Sequence, residues 1–138
     1  MVLDTDVVAA AMRSPTGASA AILRVARQDR TTLLLGMPLA LEYEAVCCRT
    51  EHRLAAGLSD REVRVFLTAV VALAEPVTTH FLWRPQLRDP GDEMVLETAI
   101  NGRADALVTF NVRDFGMVPA HFGMRVLLPR DAIGRIKP

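Results

Sequence analysis

Short apolar runs alternate along the chain with longer stretches in which apolar residues recur every three or four positions. The short runs are typical of buried strands, and the longer stretches are typical of amphipathic helices. Strands that alternate with helices indicate an α/β fold with a largely parallel sheet. We therefore predict a three-layer α/β/α domain with strands at 1–3, 31–35, 76–80, 104–109 and 125–128.

Local signals mark several helix ends. Ser59 and Glu62 have the Ser-x-x-Glu spacing of a capping box, which predicts a helix start there. Pro76 is expected to stop this helix. Gly57 ends the preceding helix, and Asn101-Gly102 ends a late one with residues that tolerate positive φ. The predicted helices cover 7–13, 18–28, 37–47, 51–56, 60 to the residues before Pro76, 94–100 and 129–136.

Polar residues collect where predicted strands end and helices begin. In an open α/β sheet, the carboxyl ends of the strands form the crevice that binds ligands. Several carboxylates that converge there without Lys or Arg between them would repel one another, and a hard cation would neutralise them. The candidate residues are Asp4, Asp6, Glu42, Glu44, Asp89, Asp92, Thr109, Asn111 and Asp114. They predict a Mg²⁺ or Mn²⁺ site whose bound water attacks a phosphodiester.

Each acid also has a structural interpretation. Asp6 lies close to a helix start and would equally well cap it, and Asp89 is better explained as a capping residue than as a ligand. Of Asp89 and Asp92, Asp92 is the better candidate for a metal ligand. Glu42 and Glu44 fall on nearly opposite faces of one helix, so at most one of them points at the site.

Composition sets the broad class. The length of 138 residues predicts one domain spanning 1–138. Sixteen basic and sixteen acidic residues cancel, which leaves only a local basic patch as a nucleic-acid signal. The adjacent Cys47 and Cys48 argue for a reducing cytoplasm, and we predict a cytoplasmic protein because no apolar run approaches the length of a membrane span.

Five segments, in order along nearly the whole chain, are similar to the motifs of one family. They are Val2-Leu3-Asp4-Thr5-Asp6-Val7-Val8, Leu41-Glu42-Tyr43-Glu44-Ala45-Val46, Asp89-Pro90-Gly91-Asp92 with Leu96-Glu97-Thr98-Ala99, Ala104 to Thr109 with Asn111 and Asp114-Phe115, and Leu128-Pro129-Arg130. Together they resemble PIN-domain proteins, in particular the VapC-type toxins of toxin–antitoxin pairs.

The resemblance implies a metal-dependent endoribonuclease, with RNA as substrate, a cognate antitoxin and a homodimer as partners. It implies catalytic roles for Asp4, Glu42, Asp92 and Asp114, of which Asp4, Asp92 and Asp114 would bind the metal; Asp6, Asp89, Thr109 and Asn111 would be secondary. This sequence departs from the family pattern at two positions. Asp6 stands where Asn is usual, and Asn111 stands where many relatives have Asp.

Two other phosphate-handling families also begin with an Asp at the first strand end, namely haloacid dehalogenases and response-regulator receiver domains. Both need a buried Lys later in the chain, and the single Lys here is Lys137, beyond the last predicted strand. The alternative from a different class is a PIN fold that binds RNA or protein without cutting it. The Asn111 departure motivates that alternative.

Overall fold

The computed structural model describes residues 1–78 and 87–136. Its strands are β1 (Val2–Leu3), β2 (Leu33–Leu35), β3 (Ala74–Pro76), β4 (Ala106–Val108) and β5 (Arg125–Leu127). Its α-helices are α1 (Thr5–Arg13), α2 (Ala18–Arg27), α3 (Met37–Cys47), α4 (Thr50–Ala56), α5 (Asp60–Leu73), α6 (Pro90–Asn101), α7 (Val118–His121) and α8 (Pro129–Arg135). A 3₁₀ helix covers Val112–Phe115.

The strands are parallel. β4 pairs with β1 on one side and β5 on the other, and β2 pairs with β3. The Leu34 amide donates to the Met1 carbonyl at 2.9 Å and joins the two groups. This contact places the two-stranded sheet β3-β2 beside β1 of the three-stranded sheet β1-β4-β5, so that the direction of winding reverses between β1 and β4. Ligand crevices of open α/β folds form at this kind of reversal.

Helices cover the sheet and bury its apolar side chains. α1 packs on α2, α2 packs on α8, and α6 lies against β1, β2 and β4. The largest fully buried side chains come from every layer: Val2, Val7, Val8, Ile22, Leu39, Val63, Val95, Leu96, Leu107, Val108 and Phe115. The predicted α/β class with a mainly parallel sheet is confirmed. No helix in the two described ranges is long and apolar enough to cross a membrane.

The capping box at Ser59 is confirmed in both directions. The Glu62 amide donates to the Ser59 hydroxyl at 3.2 Å, and the Ser59 amide donates to Glu62 at 3.0 Å. Gly57 ends α4 in the left-handed region, at φ 69°. These two signals depend on neighbours in the chain, which explains why the sequence alone revealed them.

Three predicted element boundaries were wrong, and one helix was missed. α1 begins at Thr5 rather than Val7, because Asp4 caps it. β3 lies at Ala74–Pro76 rather than 76–80, since Ala74 already adopts an extended conformation beside β2. α6 begins at Pro90 rather than Met94, because Asp89 caps it, whereas the predicted end at Asn101-Gly102 is confirmed. α7 was not predicted. Residues 79–80 of the predicted strand lie outside the described residues.

Candidate functional site

Asp4 lies where β1 passes into α1, at the reversal point of the sheet. Its amide donates to the Val108 carbonyl at 2.8 Å, which extends the pairing of β1 with β4. Its carboxylate accepts the Thr5 amide at 2.7 Å and the Thr109 hydroxyl at 2.7 Å, one on each oxygen. Asp4 is only 7% exposed, so these two donors hold a nearly buried carboxylate in a fixed orientation.

Tyr43 supports the same junction from α3. Its buried hydroxyl donates to the carbonyl of Leu3, the residue before Asp4. Burial is the main cause that raises the pKa of Tyr43, so the hydroxyl keeps its proton and remains a donor. The sequence analysis quoted Tyr43 only as part of a motif. Tyr43 lies four residues from Leu39 and from Cys47, and this spacing could have predicted that it is buried with them. A buried Tyr hydroxyl needs a hydrogen-bond partner, so the spacing also indicated a structural role.

Asp6 fastens the loop after β4 to α1. One of its carboxylate oxygens accepts both the Phe110 amide and the Asn111 side-chain amide, each at 3.1 Å. The Asn111 backbone amide donates to the Thr109 hydroxyl at 3.0 Å. The predicted alternative in which Asp6 caps α1 is therefore wrong, because Asp4 holds that position. Among the described residues, the other Asp6 oxygen is buried without a hydrogen-bond partner.

Asp89 and Asp92 lie at the start of α6. Asp89 caps the helix by accepting the Gly91 amide at 2.7 Å, which confirms its predicted capping role. Asp92 is half-buried in the first turn. Burial, followed by the charges of Asp4, Asp89 and Asp114, raises the pKa of Asp92 to about 6. Asp114 itself lies exposed in the 3₁₀ helix after β4.

The carboxylates of this crevice destabilise one another's charged forms. Burial is the largest cause that raises the pKa of Asp4, and its hydrogen bonds with Thr109 and Thr5 oppose the shift. Burial and then the Asp4 charge raise the pKa of Asp6 to about 6. Within 1–78 and 87–136, the acids of this group form no ion pair with a basic side chain. The crevice therefore holds negative charge that no basic side chain of the described residues neutralises in an ion pair. We call Asp4, Asp6, Asp89, Asp92 and Asp114 the acidic crevice.

The donor set suits a hard divalent cation, since it consists of carboxylate oxygens and includes the unpartnered oxygen of Asp6. The described residues contain no group of three or more His, Cys, Asp or Glu side chains arranged to hold a metal. The crevice thus has the chemistry and charge for such an ion, with side chains that have not converged on one point.

Glu42 belongs to α3, on the same helical face as Val46. Val46, four residues later and hence on the same face, lines a depression together with Asp6 and Asn111. Glu44 faces α5 instead, where it pairs with Arg64 at 3.7 Å. Glu42 is not among the leading charges that raise the pKa of Asp4, Asp6 or Asp92, so its catalytic place stays a prediction.

The depression beside Asp6 contains basic residues that the sequence analysis missed. It has a volume of about 530 Å³. An Arg13 guanidinium nitrogen lies 3.5 Å from Nδ1 of His52, although 39 positions separate them in the chain. We call this depression the Arg13 pocket; its lining is Thr5, Asp6, Ala9, Ala10, Arg13, Val46, His52, Phe110 and Asn111.

Comparison with known families gives one match. A family model for the PIN domain matches residues 1–113, whereas no curated protein and no solved structure matches the chain significantly. The matched span contains Asp4, Glu42, Asp92 and Asn111, and Asp114 follows directly after it. Because the match covers most of the chain and the sheet and acidic crevice agree with it, the chain belongs to the PIN-domain family.

Proposed function

We propose that this protein is a metal-dependent endoribonuclease, and that it is the toxin of a type II toxin–antitoxin pair. The observation that carries the proposal is the acidic crevice, in which burial and mutual repulsion raise the pKa values of Asp6 and Asp92 to about 6 without a basic partner among the described residues. Such a crevice gains stability from a bound divalent cation. PIN domains are typically metal-dependent nucleases.

In this proposal, Asp4, Asp92 and Asp114 hold Mg²⁺ or Mn²⁺, and Glu42 orients or deprotonates the attacking water. When bound, the ion polarises the phosphoryl group and lowers the pKa of a coordinated water. Asp4 keeps its orientation through the Thr5 and Thr109 donors, while the Tyr43 hydroxyl holds the strand end from which it projects. Each Asp4 oxygen retains a lone pair for a further ligand.

The two departures from the family pattern lie in direct contact. The Asp6 carboxylate accepts the Asn111 side-chain amide at 3.1 Å. The acid and the amide have therefore exchanged positions across one hydrogen bond, and the pair still contributes one carboxylate to this side of the crevice. This pairing supports retained activity, which the Asn111 departure alone would have argued against.

Cleavage of single-stranded and structured RNA with Mn²⁺ or with EDTA tests the nuclease proposal. Wild-type protein should cleave only with the metal, and Asp4→Asn should lose most of that cleavage. Asp29→Asn is the matched control, because Asp29 is exposed in a turn at φ 58°, which Asn also tolerates. Equal cleavage by wild type and Asp4→Asn would refute the site assignment.

An apolar groove between α3 and α5 supports a protein partner, either the antitoxin or a second copy of the chain. It measures about 570 Å³, and Met37, Leu41 and Val71 on its walls are each more than half exposed. Exposed apolar patches of this kind mark protein contacts. Light scattering of the purified chain tests the homodimer. Growth assays in which a neighbouring small gene is co-expressed in the cytoplasm test the antitoxin.

The alternative function is a PIN-fold scaffold that binds RNA or protein without cutting. It is favoured by the absence, in the described residues, of a three-residue group arranged as metal ligands. Wild-type protein that binds RNA but neither binds Mn²⁺ nor cleaves would establish this alternative. Calorimetric titration with Mn²⁺ separates the two functions independently of the choice of RNA.

A further inference from the structure

Phe110 is an exposed aromatic side chain next to the acidic crevice. It is 48% exposed, although it directly follows the fully buried Thr109. Its amide is held by the Asp6 carboxylate at 3.1 Å, so the backbone under the ring is fixed. Large aromatic side chains normally dominate cores or interfaces, and an exposed one on a fixed backbone is suited to contact a ligand.

Two depressions meet at Phe110. The Arg13 pocket lies on one side, and on the other is a depression of about 450 Å³ whose lining includes Ser14, Gly17, Leu128 and Arg130. Ala10 and Phe110 line both. The Phe110 ring therefore lies between the two depressions, with one Arg in each.

Neither of these Arg residues is neutralised. Arg13 and Arg130 are exposed, and neither forms an ion pair with an acid among the residues that the structure describes. Arg13 has only the long contact with His52 at 3.5 Å. Two unpaired guanidinium groups are thus placed on either side of one aromatic ring, near carboxylates that they do not contact.

This arrangement matches the chemistry of a single nucleic-acid strand. An aromatic ring stacks on an unpaired base, and guanidinium groups bind the phosphates on either side of it. Bases inside a duplex are already stacked on one another and leave no free face for Phe110. An apolar protein helix fits less well, because the unpaired Arg groups would be desolvated without compensation.

We propose that Phe110 stacks on a base of single-stranded RNA while Arg13 and Arg130 bind the neighbouring phosphates, so that the strand is guided into the acidic crevice. This proposal rests on the proposed function, because it assumes that RNA is the substrate. It assigns to Phe110 a positioning role that the sequence analysis did not find.

Binding without cleavage tests the proposal. A short fluorescent single-stranded RNA of mixed sequence is titrated, in EDTA, with the Asp4→Asn protein and with its Phe110→Ala and Phe110→Trp derivatives. Loss of one stacking contact should weaken binding roughly 5- to 150-fold for Phe110→Ala, whereas Phe110→Trp should retain affinity. Arg13→Ala and Arg130→Ala should each weaken binding and lower the slope of log affinity against log salt by about 0.7.

Phe122→Ala and Arg27→Ala are the matched controls. Phe122 is 42% exposed and lies at the opposite, amino end of the strands, close to Ala104 and Asp105. Arg27 is exposed in the last turn of α2. Both variants should bind like their parent, and thermal unfolding checks that every variant is folded.

The outcomes separate this proposal from the nuclease assignment. Equal affinity of the Asp4→Asn protein and its Phe110→Ala derivative, or no RNA binding at all, overturns the stacking role and leaves Phe110 to a protein contact. Equal binding of single-stranded and duplex RNA by the Asp4→Asn protein overturns it as well. Selective loss of binding with Phe110→Ala supports the stacking role even if wild-type protein proves unable to cleave.

Discussion

Asp6→Asn tests whether burial and the neighbouring carboxylates destabilise the charged form of Asp6 in the metal-free protein. One Asp6 oxygen is buried without a partner in the described structure, and the other accepts the Phe110 and Asn111 amides. Asn has nearly the same shape, and its carbonyl oxygen retains both bonds. The substitution therefore removes one negative charge while keeping the hydrogen bonds between α1 and the loop after β4. We expect it to stabilise the metal-free fold at neutral pH.

The magnitude follows from the pKa of Asp6, which burial and the Asp4 charge raise from 3.8 to about 6. A rise in pKa of this size corresponds to about 3 kcal/mol in the free energy of unfolding, since each tenfold change in an equilibrium constant corresponds to about 1.4 kcal/mol. Asp6 is partly exposed, and solvent screening reduces the expected gain to about 1–2 kcal/mol.

The direction of the pKa shift of Asp6 also determines how the stability of the fold depends on pH. Between pH 3.8 and about 6, the folded state holds more protons on Asp6 than the unfolded state does. Wild-type stability therefore falls as pH rises through this window and stays lower above it. Asn cannot ionise, so the variant lacks this contribution. Its advantage should be full at pH 7.5 and should disappear near pH 4, where folded wild-type Asp6 is protonated.

Urea unfolding followed by circular dichroism measures this difference. Wild type, Asp6→Asn and the exposed control Asp29→Asn are compared at pH 4 and pH 7.5 in EDTA, and the free energies of unfolding are extrapolated to water. Asp29→Asn should change little at either pH. A destabilised Asp6→Asn at pH 7.5, or an equal gain at both pH values, would show that burial and nearby charge do not destabilise the Asp6 carboxylate.

Two further predictions concern the same crevice. Millimolar Mn²⁺ should raise the melting temperature of wild type, because a ligand at about 100 times its Kd adds about 2.7 kcal/mol to the free energy of unfolding. The double variant Asp4→Asn with Asp92→Asn should abolish this rise. No rise for wild type in differential scanning calorimetry would contradict a metal site. Tyr43→Phe should destabilise the protein by about 1–3 kcal/mol, because the Leu3 carbonyl loses the donor that Tyr43 provides. Chemical unfolding measures the loss of stability. An unchanged free energy of unfolding would show that the carbonyl finds another partner.

The sequence could reveal what depends on periodicity and on neighbours in the chain. Alternating strands and helices, the Ser59 capping box and the carboxylate after β1 all follow local rules, and the structure agrees with them. The choice between Asp4 and Asp6 as cap did not follow, because both lie near the helix start and both residue types cap well. The contact of Asp6 with Asn111, 105 positions away, decides it.

The missing parts of the candidate site depend in the same way on distant contacts. Tyr43 meets Leu3 across 40 positions, and Arg13 meets His52 across 39. Ala74 becomes a strand residue because β2 lies beside it, although the helical pattern before it continues in the sequence. Pairings of this kind are set by packing, and a single sequence carries no spacing rule for them.

The hydrogen bonds between the two ends of the PIN region have a consequence for synthesis of the protein. β1 precedes the other four strands in the chain, yet it lies beside both β2 and β4, and donors to Asp4 and Asp6 come from residues 109–111. A nascent or prematurely terminated chain that ends before residue 109 lacks these donors. The crevice of a nascent chain therefore stays incomplete until residues 109–111 have been translated. A fragment that ends before residue 109 is therefore expected to lack any activity that depends on the acidic crevice.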